Sequence, residues 1–206
     1  MNSPPDNNTY LVLASSSPRR AEILKSLGIP FLVDPSEIPE EIAPGESARA
    51  AAERLAAAKA AEVVPRHPGK LVLAADTLVL LGSEILGKPR DDADAARMLR
   101  QLSGRRHRVV TAIRLRTADG PGRGLVAESA VDMAPISPEE VDWYVGTGEP
   151  RDKAGAYAVQ GLGARFIEGV EGSYSNVMGL PARGVYLLMR AAAGNGALSL
   201  PAPSSP

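Results

Sequence analysis

The sequence feature that most constrains the fold is an uninterrupted apolar segment, residues 71–75, that leads directly into a carboxylate. The segment has no polar alternation, which predicts a strand covered on both faces, as in α/β proteins. Asp76 and Thr77 follow it, and residues 78–81 continue as extended chain rather than as a turn. Because α/β proteins place functional groups at the ends of such strands, we expect Asp76 to serve catalysis or metal binding rather than to cap a turn.

A second strand–turn–helix unit precedes this segment in the chain. Residues 10–14 are apolar and predict a buried strand, and Ser17 and Pro18 suit the N-cap and the first position of a helix. Arg19 and Arg20 then occupy the first helical turn, where the positive end of the helix dipole disfavours cations. A phosphate held between the guanidinium groups and the free backbone N–H groups would explain them, and two solvated arginines are the alternative.

Two lysines stand at places that a phosphate site could use. A predicted helix over residues 47–63 has an apolar stripe in which Lys59 is out of place. Its ammonium either reaches water past the small alanines or extends into a cleft to meet a phosphate. Lys88 follows a predicted hairpin with its turn at Gly82 and Ser83, and taken alone it is typical of a surface residue. The stripe consists of Ala48, Ala52, Leu55, Lys59 and Val63.

The second half of the chain predicts two antiparallel strands followed by a capped helix. Residues 109–116 and 125–133 have the pattern of strands, and Ser137 begins a helix with a capping box. The basic run at residues 105–108 predicts a solvated turn beside a helix end rather than a nucleic-acid site. Trp143 predicts a packed side chain rather than a platform on which a base stacks.

Composition excludes several classes of site and partner. The net charge of the 206 residues is -1, so no global field favours nucleic acid or a membrane surface. The absence of cysteine excludes thiolate chemistry, and two histidines exclude a histidine-rich metal site. The polar first residues do not predict a signal peptide and the apolar runs are short of a membrane span, so we expect a cytoplasmic protein. We expect a disordered leader at residues 1–9, a single α/β domain at residues 10–192 and a disordered tail at residues 193–206.

Four segments together resemble a known family. Residues 13–20, Asp76-Thr77, Gly87-Lys88-Pro89 and residues 154–161 occur in the order found in the Maf family of nucleoside triphosphate pyrophosphatases, and the resemblance covers about residues 10–190. It implies an α/β fold with an elongated central mixed sheet flanked by helices, in two lobes with a cleft, like that of the inosine-triphosphate pyrophosphatases. It also implies hydrolysis of a nucleoside triphosphate between the α and β phosphates, a divalent cation such as Mg²⁺ or Mn²⁺, and a homodimer.

The resemblance assigns roles to particular residues. Asp76 matches the catalytic carboxylate, which accepts a proton, and Glu40 matches a second acidic residue of the same site. Their oxygens are hard ligands of the kind that Mg²⁺ and Mn²⁺ prefer. Glu37 and Glu41 remain alternatives for the place of Glu40, since all three lie in one proline-rich loop. The family positions that handle phosphates are matched by Ser15, Arg20, Lys59 and Lys88.

Three further positions, Arg19, Thr77 and Gln160, bear on the choice of base. They resemble the branch of the family that acts on dTTP and UTP rather than the branch that acts on 7-methyl-GTP. The amide of Gln160 can both donate and accept a hydrogen bond, which suits the O4/N3 edge of uracil or thymine. Two alternatives stay open: the same chemistry on another modified nucleotide, such as 7-methyl-GTP, and a nucleotide-binding regulator of cell division that binds without hydrolysis.

Overall fold

A seven-stranded mixed β-sheet with helices packed against it forms the protein. The structure, a computed structural model, describes residues 11–120 and 122–192; the expected leader (residues 1–9) and tail (residues 193–206) lie outside the described residues. The strands are β1 (Leu11–Leu13), β2 (Phe31–Val33), β3 (Leu71–Leu81), β4 (Glu84–Leu86), β5 (Arg106–Arg116), β6 (Arg123–Met133) and β7 (Ile167–Glu171). The helices are α1 (Pro18–Ser26), α2 (Ala48–Val63), α3 (Asp92–Leu102), α4 (Pro138–Gly146), α5 (Tyr174–Val177) and α6 (Ala182–Ala192). Within the described residues, none of these helices is both long and apolar enough to cross a membrane.

The sheet combines a parallel part and an antiparallel part. Its strand order is β2-β1-β3-β5-β6-β7, and β4 pairs with β3 outside this path. β1 is parallel to β2 and to β3, because α1 and α2 provide the crossover connections that parallel strands need. The pairs β3–β5, β5–β6 and β6–β7 are antiparallel. This mixed sheet with flanking helices confirms the expected fold class.

Strand β3 differs from the expectation in a way that creates an opening in the sheet. The strand runs on beyond Asp76, so Asp76 lies inside the strand and not at its end. β5 covers one edge of β3 along residues 72–80. On the other edge, β1 pairs with residues 71–73 and β4 with residues 79–81. Among the described strands, none therefore pairs with residues 74–78 on that edge, and Asp76 lies at the centre of the gap.

The hydrophobic core divides at the same point along β3. Leu73 and Ala75 belong to a buried cluster that includes residues of α1 and α6. Val79 and Leu81 belong to a different cluster, which includes residues of α3 and α4. Asp76 lies between the two clusters, so the strand joins two packed regions and carries its carboxylate at their boundary. This division corresponds to the expected two lobes with a cleft.

Helix α2 packs against β3 and β5 beside this boundary. The hydroxyl of Ser47 caps the helix by accepting a hydrogen bond from the backbone N–H of Ala50. The whole predicted stripe is buried, and Lys59 is only 5% exposed. The alternative in which the Lys59 ammonium reaches water is therefore wrong.

Two local predictions are also wrong. The basic run is not a turn, since β5 begins at Arg106 and His107 is 2% exposed, with its Nε2 2.7 Å from the hydroxyl of Tyr157. Trp143 is not packed in the core but 42% exposed, with the guanidinium of Arg165 4.1 Å from the centre of its ring. In both cases the partner comes from a distant part of the chain, so local sequence does not reveal the environment.

Candidate active site

All of the expected site residues line a single cavity of about 410 Å³. They reach it from the turn after β1, the first turn of α1, the loop before α2, helix α2, strand β3, the turn after β4 and the segment after α4. The residues are Ser15, Arg19, Arg20, Glu40, Lys59, Asp76, Thr77, Lys88 and Gln160. Segments that are far apart in the sequence therefore meet at the gap in the sheet.

Lys59 is the centre of the charged cluster. Its Nζ lies 2.6 Å from Asp76 Oδ1 and 2.5 Å from Glu40 Oε1. Lys88 donates a further hydrogen bond of 2.6 Å to Glu40 Oε2. Glu40 therefore accepts from both lysines, which favours it over Glu37 and Glu41 as the acidic residue of the cavity.

The two carboxylates have different environments. Burial opposes the ionisation of Glu40, but the hydrogen bonds from Lys59 and Lys88 outweigh it and lower the pKa of Glu40 to about 2. Burial raises the pKa of Asp76 above its ordinary value, although Lys59 and Arg20 act in the opposite direction. The second oxygen of Asp76, Oδ2, is buried and has no hydrogen-bond partner in the described part of the chain. This oxygen is free to accept a hydrogen bond, a proton or a cation.

Arg20 holds the first turn of α1 against the other walls of the cavity. Its Nη1 donates to Ser15 Oγ (3.0 Å), its Nη2 to Thr77 Oγ1 (3.1 Å) and its Nε to the carbonyl of Gly179 (2.8 Å). These acceptors are neutral, and within residues 11–120 and 122–192 Arg20 has no carboxylate within ion-pair distance. Burial lowers the pKa of its guanidinium, against the attraction of Asp76 and Glu40. A partly buried cation without a counter-charge favours the anion site over the alternative of two solvated arginines.

Arg19 points to a different partner, which sequence reasoning missed. Its Nη1 lies 3.2 Å from Asp152 Oδ2, and Lys153 Nζ lies 2.5 Å from Asp152 Oδ1. Asp152 and Lys153 both line the cavity. Their signal in the sequence is a charged pair that directly precedes the run of small residues at 154–161.

The cavity has an excess of positive charge and one further unpaired acceptor. Its charged lining residues are five cations and three carboxylates: Arg19, Arg20, Lys59, Lys88, Lys153, Glu40, Asp76 and Asp152. Gln160 lies in the same lining, and its Oε1 is buried without a hydrogen-bond partner among the described residues. The arrangement can therefore attract a polyanion and offer an amide to a polar group of the same ligand.

Comparison with known proteins identifies the family. Residues 10–192 match the family model described as Maf-like protein. A dTTP/UTP pyrophosphatase of Anaeromyxobacter sp. (strain Fw109-5) is 52% identical over 186 residues, which are 88% of this chain and 89% of that protein. A dTTP/UTP pyrophosphatase of Myxococcus xanthus (strain DK1622) is 52% identical over 175 residues, which are 85% of this chain and 88% of that protein. The solved structure of the Staphylococcus aureus Ham1 protein is similar with a TM-score of 0.49 and 18% identity, over 88% of this chain and 96% of that chain. The match to the family model and the identity to these relatives show that the chain belongs to the Maf family.

Proposed function

We propose that this protein is a nucleoside triphosphate pyrophosphatase that hydrolyses dTTP and UTP between the α and β phosphates to give the nucleoside monophosphate and pyrophosphate. The observation that carries the proposal is the unpaired, buried Oδ2 of Asp76 in a cavity with an excess of cations. The names of the relatives that are 52% identical support the same reaction and the same substrates.

The positive charges of the cavity can offset the negative charge of a triphosphate, which is the main physical requirement of the reaction. A triphosphate repels an attacking water molecule until cations offset its charge, and fixed cations supply much of the catalysis in phosphate chemistry. Lys59 and Lys88 come from α2 and from the turn after β4, and both already bind an anionic oxygen of Glu40. Arg20 has no carboxylate to release, so its charge is available to a phosphate with Ser15 beside it. We assign the phosphates to these residues.

Asp76 is the residue to which we assign the reaction itself. Its Oδ1 is held by Lys59, which fixes the carboxylate on β3, and its Oδ2 has no hydrogen-bond partner among the described residues. In the proposed role, Oδ2 orients the attacking water and accepts its proton, while pyrophosphate leaves with the electron pair of the broken P–O bond. Glu40 keeps the ammonium groups of Lys59 and Lys88 aligned until they bind the phosphates of the substrate.

The residues also fit a divalent cation. Asp76 Oδ2 is an unsatisfied hard ligand, and the oxygens of Glu40 would become available to a cation when Lys59 and Lys88 bind phosphates instead. The described residues contain no group of three or more side chains able to hold a metal ion, so further ligands would be phosphate oxygens and water, as is common for Mg²⁺. A bound Mg²⁺ or Mn²⁺ would supply charge neutralisation at the phosphates and make a neighbouring water more acidic.

Base choice is assigned to Gln160, Thr77 and Arg19. Gln160 lines the cavity, and its amide oxygen has no hydrogen-bond partner among the described residues. Thr77 accepts a hydrogen bond from Arg20, and Arg19 precedes Arg20 in α1, so both residues adjoin the proposed phosphate site. An amide that donates and accepts matches the O4/N3 edge of uracil and thymine.

The test is release of pyrophosphate from a panel of triphosphates with and without Mg²⁺ or Mn²⁺. We expect UTP and dTTP to be turned over faster than CTP, GTP and 7-methyl-GTP, and a chelator to abolish the activity. Faster turnover of 7-methyl-GTP would show that the same reaction serves another nucleotide. Binding of UTP without any release of pyrophosphate would support a nucleotide-binding regulator instead of an enzyme.

A further inference from the structure

The backbone of the segment that carries Gln160 is hydrogen-bonded to two residues that do not line the cavity. Glu149 accepts hydrogen bonds from the backbone N–H groups of Leu162 (3.1 Å) and Gly163 (2.9 Å). The hydroxyl of Tyr144 accepts one from the N–H of Ala158 (3.1 Å). Backbone groups on both sides of Gln160 are therefore bound to Tyr144 and Glu149, which we call the loop anchor.

The two residues of the loop anchor are hydrogen-bonded to each other, and the ring of Tyr144 is fixed by packing in the core. Tyr144 donates its hydroxyl hydrogen to Glu149 Oε1 at 2.8 Å. The Tyr144 side chain is fully buried and its ring meets that of Phe166 edge-on, with 5.4 Å between the centres. Burial opposes the ionisation of Glu149, but the hydrogen bonds from Tyr144, Gly163 and Leu162 prevail and lower the pKa of Glu149. An ionised carboxylate can only accept hydrogen bonds, so it holds all three donors in one arrangement.

Two glycines show how closely the loop approaches the anchor. At Gly161, φ is +72°, and a Cβ would come within 2.7 Å of Glu149 Oε2. At Gly163, a Cβ would come within 2.5 Å of the Tyr144 hydroxyl. At Gly163 the same Cβ would also come within 2.5 Å of the backbone carbonyl of Ala158, so only glycine fits there, and at Gly161 the positive φ favours glycine. The sequence around Gln160 is therefore adapted to contact with Tyr144 and Glu149.

We propose that Tyr144 and Glu149 are positioning residues for base selection, which act by fixing the backbone from which the Gln160 amide extends. The proposal rests on the proposed function, in which Gln160 meets the base. A glutamine amide can turn either its oxygen or its nitrogen toward a ligand, so a mobile Gln160 could serve cytosine as well as uracil. Discrimination between the two bases requires one orientation, and a fixed loop provides the necessary frame.

The test compares the kcat/KM of the full-length enzyme for UTP and for CTP in two variants. Glu149→Gln keeps the shape of the side chain but replaces one of the two acceptor oxygens with an NH2 donor, which then faces a backbone N–H. Tyr144→Phe keeps the buried ring and removes only the hydroxyl, so at least one folded variant is available for measurement. We expect the preference for UTP over CTP to fall about fivefold to tenfold, mainly through KM for UTP, with a smaller change in kcat.

The matched control is Glu140→Gln, because Glu140 also accepts a hydrogen bond from a backbone N–H, that of Ser137, at the start of α4 and outside the cavity. It should lower stability without changing the preference for UTP over CTP. Unchanged preference in folded Glu149→Gln or Tyr144→Phe would overturn the inference, and so would an equal loss with both nucleotides. If the parent enzyme releases no pyrophosphate from UTP, the proposed function itself fails, which is a different result.

Discussion

The ammonium of Lys59 lies 2.6 Å from the carboxylate of Asp76, and both side chains are almost completely buried. Helix α2 and strand β3 are therefore joined by an ion pair at the floor of the cavity. Removing one partner of a buried pair leaves a charge without compensation, whereas the intact pair contributes little net stability. The pair is thus better explained by the alignment of the carboxylate to which we assign the reaction than by the stability of the fold.

The first prediction concerns Asp76→Asn. The amide keeps the shape of the side chain and still offers an oxygen to Lys59, but it is too weak a base to take a proton from water. We expect kcat for UTP to fall by about 10²–10⁴-fold with the fold retained. The measurement is pyrophosphate release together with circular dichroism.

A matched control is Asp142→Asn, which removes an exposed carboxylate that pairs with Arg100 away from the cavity. It should leave kcat within about twofold of the parent. Equal rates for Asp76→Asn and the parent enzyme would show that Asp76 is not the catalytic residue.

The second prediction concerns the energetic coupling of Lys59 and Asp76. Lys59→Met removes the buried cation and leaves the buried carboxylate of Asp76 without its ion-pair partner, whereas Glu40 keeps Lys88, so we expect a loss of about 3–5 kcal/mol in the free energy of unfolding. Combining it with Asp76→Asn should cost about 1–3 kcal/mol less than the sum of the two single losses. Urea unfolding of the four proteins at pH 7 measures this difference. Strictly additive losses would mean that the two side chains do not interact in solution.

Features that depend on neighbours in the sequence were accessible without the structure. The stripe of α2 follows from helical spacing, and the capping box at Ser137 follows from residues at fixed offsets. The extended continuation past Asp76 was predicted and agrees with β3, but the gap beside Asp76 on one edge of the strand was not. The apolar pattern shows which residues are extended, and it does not show where the neighbouring strands β1 and β4 stop.

Features that depend on distant residues could not be predicted in this way. Arg19 and Asp152 are separated by 133 positions, and no periodicity connects them. The same holds for the contact of His107 with Tyr157, 50 positions apart, since the segment expected to be a solvated turn is the start of a strand in which His107 is buried. Ion pairs and buried polar contacts of this kind are set by how the segments pack, so they emerge only from the folded chain.

The third prediction concerns Asp152, which forms ion pairs with Arg19 and Lys153 in the cavity lining. Asp152→Asn removes a negative charge that repels a triphosphate and frees both cations. We expect KM for UTP to fall about threefold and to become more sensitive to salt, with the free energy of unfolding changed by less than about 1 kcal/mol. Steady-state kinetics at several ionic strengths provide the measurement.

The control for this change is Asp92→Asn, which breaks the ion pair with Arg151 on an exposed surface outside the same cavity. It should leave KM and its salt dependence as in the parent. A higher KM in Asp152→Asn would indicate that Asp152 aligns Arg19 for the substrate rather than competing with it.

The fourth prediction concerns acid stability and the buried His107. Burial lowers the pKa of His107 from 6.5 to about 4, against the opposing effects of the Arg105 backbone and of the charge of Asp132. The unfolded chain thus binds a proton at higher pH than the folded chain does, so the free energy of unfolding should fall as the pH drops from about 6.5 to about 4. The expected contribution of His107 to this fall is about 3 kcal/mol.

Carboxylates also titrate at these pH values, so the contribution of His107 has to be isolated by comparison with His107→Phe. The variant leaves the hydroxyl of Tyr157 without its partner and should therefore be less stable at pH 7. Its stability should nevertheless decline less steeply between pH 6.5 and pH 4, because the histidine that has to take up a proton on unfolding is gone. Urea unfolding across this interval gives both slopes. If the free energy of unfolding had the same pH slope in both proteins, His107 would be protonated equally in the folded and the unfolded chain. That result would require water to reach the imidazole ring, which is buried against Tyr157.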